Sequence, residues 1–191
     1  MPQRRAKPSP HRTQPAKAPA RRWVSWVVGG VGVVALVLLI VFISSDLSGP
    51  SQDDVTPPDG VETFAIASAD HTAESVIYEQ DPPVGGPHDS TPLACGVYDT
   101  PVRNENAVHS LEHGAVWITY QPDLVTGDVA DIERFARQSE VMVSPYPGLD
   151  SAVVVSAWGT QLRLEGVDDA AIDQFIRAFK NRTAPENSAV C

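Results

Sequence analysis

The sequence predicts an α+β protein: one apolar membrane helix followed by a small outer domain of mixed strands and helices. Three observations lead there. Residues 23–43 (WVSWVVGGVGVVALVLLIVFI) hold neither charge nor proline, and a helix of that length rises about 30 Å, enough to cross a hydrocarbon core. Downstream, β-branched and aromatic runs alternate with segments whose apolar residues recur every three or four positions, the marks of strands and amphipathic helices. Charge is also segregated: residues 1–22 carry seven Lys or Arg and no acid, whereas all 24 acids lie at Asp46 or later, with seven bases among them.

Residues 1–22, rich in Pro, Ala and Arg and without apolar periodicity, read as a disordered basic tail that the positive-inside rule keeps in the cytoplasm. The alternative, a cleaved signal peptide, has an apolar core of about 7–15 residues followed by small residues in an A-x-A pattern. Here the core is longer and ISSDLSGPS follows. The expectation is therefore an uncleaved single-pass anchor in the cell membrane, with the carboxyl-terminal domain extracytoplasmic. Residues 44–60 are a Pro-, Gly-, Ser- and Asp-rich linker, 61–180 the domain and 181–191 a tail. The outer part has a formal charge of −17, which disfavours nucleic acid and anionic lipid as partners and concentrates cations, although acidity also serves plain solubility.

Within the domain, residues 61–68 and 73–78 read as strands, and residues 79–102, dense in Pro and Gly, as a functional loop or a wrapped segment held by its own contacts. Asn104 offers an N-cap for a short helix to His113, with Gly114 at its C′ position. Residues 115–121 form a buried strand, and 128–140 a helix turning Val129, Ile132, Phe135 and Ala136 inward. Residues 141–148 and 151–159 suggest strands of a hairpin. Asp168 opens a last helix carrying Ile172, Phe175, Ile176 and Phe179. The order is compatible with thioredoxin-like layering of helices over a mixed sheet, although no C-x-x-C opens a helix.

The only cysteines, Cys95 and Cys191, both fall on the outer side. An oxidising compartment favours a disulfide between them, closing a loop of about a hundred residues worth roughly 4 to 5 kcal/mol in the chain-entropy model. Otherwise Cys95 is a free ligand or a nucleophile for thiol chemistry.

Four of the five histidines (His71, His88, His109, His113) fall between residues 71 and 113, and none follows. On a helix Glu105, His109 and His113 share one i, i+4 row, with Glu112 beside it. Two imidazoles so placed converge on one ion, and Zn or Cu accepts nitrogen donors at about 2.0 Å. His88, in the stiff run GGPHD, is the leading third ligand. His71, Cys95, Glu112 and Glu105 compete for what remains or orient the imidazoles. His109 to His113 also fit H-x-x-E-H, in which the glutamate activates water, but the helix is short and no second ligand helix follows. The bland alternative is a hydrogen-bonded histidine pair favoured by the helix dipole. Asn181-Arg182-Thr183 is a glycosylation sequon of low specificity.

The runs YEQDPPVGGPHD, CGVYDTPV and NENAVHSLEHGAVWITYQPD resemble an uncharacterised family of single-pass bacterial membrane proteins, domain of unknown function 3105, over about residues 61–180. The resemblance implies that His71, His88, Cys95, His109, Glu112 and His113 are family-pattern positions, and it implies no reaction. Two expectations follow: an outer domain binding Zn or Cu through His109, His113 and His88, or a non-catalytic module contacting an envelope protein partner, its histidines structural.

Overall fold

A computed structural model describes residues 55–186. The expected basic tail, the membrane helix at 23–43, most of the linker and Cys191 lie outside the described residues. Among the described residues, no helix is long and apolar enough to cross a membrane.

The domain is a mixed α/β fold built on six strands: β1 (Glu62–Thr63), β2 (Gly96–Val97), β3 (Val116–Tyr120), β4 (Val141–Pro145), β5 (Val153–Ala157) and β6 (Thr160–Leu164), in the order β1-β6-β5-β3-β4-β2. Strand β3 runs parallel to β4 and antiparallel to β5, pairing Ile118 with Val143 on one side and with Val155 on the other. Helices α1 (Asn104–Glu112), α2 (Thr126–Glu133) and α3 (Asp169–Phe179), with a 3-10 turn at Arg134–Arg137, cover the sheet.

Strands β3, β4 and β5 are buried at every residue, as strands covered on both faces must be. Alternate side chains serve different layers. Val116, Ile118, Val143, Val155 and Leu162 pack with Ile132, Phe135, Ile172, Phe175 and Ile176 on the face covered by α2 and α3. Trp117, Met142 and Val154 pack on the other face with Ala107, Val108 and Leu111 of α1 and with Trp158.

Several expectations need correction. Only Glu62–Thr63 of residues 61–68 forms a strand, and residues 73–78 form none. There the backbone is held by side chains instead, Val76 N donating to Glu105 Oε1 at 2.8 Å. The helix expected at 128–140 starts at Thr126 and tightens to 3-10 after Glu133. Strands β4 and β5 are not a hairpin, because β3 lies between them. The hairpin is β5–β6, turning at Trp158-Gly159, and β6 (TQLRL) has too few apolar residues to announce itself.

The two helix ends that matter most obey local rules. Asp168 caps α3, accepting from Ala171 N at 3.0 Å. Asn104 is not a cap but the first residue of α1, and its amide donates to Tyr146 Oη at 3.1 Å. Gly114 N donates to Leu111 O and Ala115 N to Ser110 O, both at 3.0 Å. These two bonds make a Schellman ending, and Gly114 takes the positive φ of 96° it requires.

Candidate metal centre

The Schellman ending delivers His109, Glu112 and His113 at the carboxyl-terminal end of α1, where the helix dipole favours positive charge. The 79–102 segment is held by groups outside it. Gly159 N donates to Val84 O at 2.7 Å, Gln161 Nε2 to Pro82 O at 2.9 Å and Tyr78 Oη to Pro87 O at 2.7 Å. Burial pushes the Tyr78 hydroxyl pKa upward, with the Glu105 carboxylate adding to it, so the phenol keeps its proton as a donor. Segment 89–93 is pinned to α1, with Asn106 Nδ2 donating to Thr91 O at 2.6 Å and Leu93 N to Ser110 Oγ at 2.9 Å.

A parallel bridge then sets His71 beside His88: Thr72 N donates to His88 O at 2.7 Å and His88 N to Asp70 O at 3.0 Å. The His71 ring stacks on His109 with centroids 5.0 Å apart, and the His88 ring stands edge-on to both. Trp158 lies 6.0 Å from the His88 ring and walls its far side.

The imidazole nitrogens are oriented by carbonyls. His88 Nδ1 lies 2.8 Å from Gly86 O and His109 Nδ1 lies 2.7 Å from Asp89 O. A carbonyl only accepts, so each Nδ1 carries a proton, and in a neutral ring each Nε2 then presents a lone pair. His88 Nε2 faces Glu112 Oε2 at 2.9 Å, and His71 Nε2 lies 3.7 Å from the same oxygen. One nitrogen each from His71, His88 and His109 and one oxygen of Glu112 fall within 4.8 Å of one another. Tetrahedral donors about 2.0–2.1 Å from an ion are about 3.3 Å apart, so side-chain adjustment would be needed to bring these four onto one cation. Burial lowers the His109 pKa, and the neighbouring imidazoles push it the same way. The cause is desolvation of the charged form, and the result is the neutral ring that metals require.

His88 is fully buried, while the His71 side chain is 49% exposed. The group is therefore anchored inside and open on one side. His113 stands just outside it, its Nε2 at 2.9 Å from His109 Nε2, where it donates to the lone pair left by the Asp89 carbonyl. It belongs with Glu112 and Glu186 to a second set of converging donors.

Of the predicted ligands, then, His71, His88, His109 and Glu112 come together, and His71 takes the place expected for His113. Cys95 is not among them. It is not a free thiol and packs against the core beneath α1. Its expected pairing with Cys191 lies outside the described residues. Glu105 is engaged elsewhere, with Val76 N at 2.8 Å and Arg103 Nε at 3.0 Å. Arg103 also holds the Asp89 carboxylate, at 2.5 Å, and keeps that carboxyl below its usual range. This arginine clamps the two loops against α1, a role its position just before the helix did not announce. The Gly86 and Asp89 carbonyls were equally invisible, since any residue has one. Glu112 lies 2.9 Å from His88 and 3.7 Å from His71, and the first donor set includes only His109 of the two histidines that the H-x-x-E-H pattern would place on one ion.

No curated protein and no solved structure matches the chain. A family model does match, over residues 70–191, from one residue before His71 through Glu186 and beyond. That span holds every donor of both sets and covers more than half of the sequence, and the chain thus belongs to the family described as "Protein of unknown function (DUF3105)".

Proposed function

We propose that this domain binds a first-row transition metal, Zn or Cu, through His71, His88, His109 and Glu112, and that it does so outside the cell membrane on a single-pass anchor formed by residues 23–43. The observation that carries the metal reading is the contact between His88 Nε2 and Glu112 Oε2. With Nδ1 committed to the Gly86 carbonyl, a neutral His88 turns its Nε2 lone pair to the Glu112 carboxylate at 2.9 Å in a buried site. They repel unless a proton or a cation lies between them. Carbonyl-oriented imidazoles with free Nε2 atoms are the usual outer support of metal-ligating histidines.

Three imidazoles and a carboxylate suit Zn or Cu(II), and four protein donors are enough to close a tetrahedral shell. A closed shell favours holding or relaying the ion over hydrolysis, which needs an open position for water. When bound, the ion supplies positive charge that ties α1 to the two loops. The chain's own residues set tautomers, exclude water around His88 and leave His71 as the exposed donor through which an ion enters. We also infer thioredoxin-like layering of the domain, supported by the parallel β3–β4 pair beside the antiparallel β5–β6 hairpin.

The test is metal analysis of the full-length chain purified without chelators or affinity metals, alongside His88→Ala and His109→Ala. Bound Zn or Cu in the wild type and background levels in both variants support the reading. Background levels in all three sink it.

A second reading rests on the same atoms: His88 between Gly86 O and Glu112, and His109 between Asp89 O and His113, also form a protonated hydrogen-bond network. On that reading the histidines are structural and the domain is an envelope interaction module. It predicts no bound metal and a partner that co-purifies equally with His109→Ala.

A further inference from the structure

We propose that the centre is dinuclear, with Glu112, His113 and Glu186 holding a second divalent cation and Glu112 shared between the two. The inference rests on the preceding metal reading and extends it to a site with its own ligands.

One donor atom each from Glu112, His113 and Glu186 lies within 4.8 Å of the others, and His113 Nε2 is 3.8 Å from Glu186 Oε2. Glu186 is not a loose surface acid. The chain after α3 folds back over the end of α1, Asn181 N donating to Gly114 O at 3.0 Å and Glu186 N to Glu112 O at 3.1 Å. Gly114 makes that approach possible, because a Cβ there would lie 3.0 Å from the Asn181 Cα. The fold-back was expected to be a loose tail, yet it delivers a carboxylate to the one histidine that the first set leaves out.

Chemistry argues for a pair of ions. Glu112 has two oxygens, and Oε2 is the one beside His88 and His71, so Oε1 remains as a donor to the neighbouring ion. His109 and His113 have their Nε2 atoms 2.9 Å apart, and a His113 tautomer with its proton on Nδ1 instead of Nε2 would leave each Nε2 lone pair for its own ion. Metal pairs that share a ligand sit about 3.5–4 Å apart. Two divalent ions so close repel, and Glu186 supplies the second carboxylate that offsets this. The first ion has four protein donors; the second has three and leaves coordination to water. The outer ion is therefore the exchangeable one, since the Glu186 side chain is 58% exposed.

The experiment is equilibrium dialysis of the full-length chain against Zn, with Glu186→Gln and His113→Ala in parallel, each checked for folding by thermal melting. Two Zn per wild-type chain and one per chain in each variant are expected. One Zn in the wild type overturns the dinuclear inference and leaves the single-ion reading standing; none overturns both. Loading with Cu(II) gives an independent measurement on the wild type alone: ions sharing Glu112 couple magnetically and lose electron paramagnetic resonance intensity. Two bound Cu(II) with full, uncoupled intensity overturn the shared carboxylate.

Discussion

The two faces of the central sheet use the same strands for different ends. Under α2 and α3, Val116, Ile118, Val143 and Val155 meet Ile172, Phe175 and Ile176 in a wholly apolar layer. Under α1, their neighbours Trp117, Met142 and Val154 support a helix whose outer side presents His109 and Glu112 to two long loops. One face buries hydrocarbon and stabilises without directional chemistry. The other gathers polar groups that need partners, and so must be positioned by carbonyls, an arginine clamp and a helix ending. Stability and candidate function are thereby separable by layer.

The largest expected effect tests that separation directly. Phe175→Ala, at a fully buried position of the apolar layer, should cost about 3–5 kcal/mol, read by denaturant unfolding, while molecules that remain folded keep their metal stoichiometry. Loss of metal from the folded fraction would merge the two layers into one cooperative unit. Next, adding Zn at a thousandfold excess over its dissociation constant should raise stability by about 4 kcal/mol. That gain should vanish in His88→Ala and fade as pH falls through the histidine range, because protons then compete for the same lone pairs.

Gly86→Ala sharpens the comparison on the loop side. Gly86 has φ of 111°, which favours glycine, and its carbonyl orients His88, so about 1–3 kcal/mol of stability and weakened metal affinity should be lost together. Asp168→Ala removes the cap of α3 and should cost about 1 kcal/mol with metal binding untouched. A change in metal affinity in that last variant would show that the α3 side communicates with the site.

How far the sequence could be followed depends on the range of the forces involved. Helix α3 was legible from Asp168 through its apolar spacing, because capping and amphipathicity act within a few residues. The Schellman ending at Gly114 was legible for the same reason, and with it the shared face of His109 and Glu112. The hairpin expected between 141–148 and 151–159 failed because strand partners are chosen by the whole sheet, and β3 fills the gap between β4 and β5. Strand β6 does alternate, Leu162 and Leu164 facing the core and Gln161 and Arg163 facing polar partners in the loop, but it is short and carries only two large apolar side chains.

The site divides along the same line. By itself the sequence determined that histidines cluster between residues 71 and 113 and that two of them end a short helix, since 3.6-residue geometry follows from local backbone preference. Only the tertiary structure decided which of them meet. His71 reaches His109 because a backbone bridge to His88 puts it there. His113 turns instead to Glu186 because the chain after α3 is hydrogen-bonded to the end of α1. Those contacts join residues far apart in the chain, and they are selected by burial and hydrogen-bond satisfaction across the whole domain, which no short window of sequence contains.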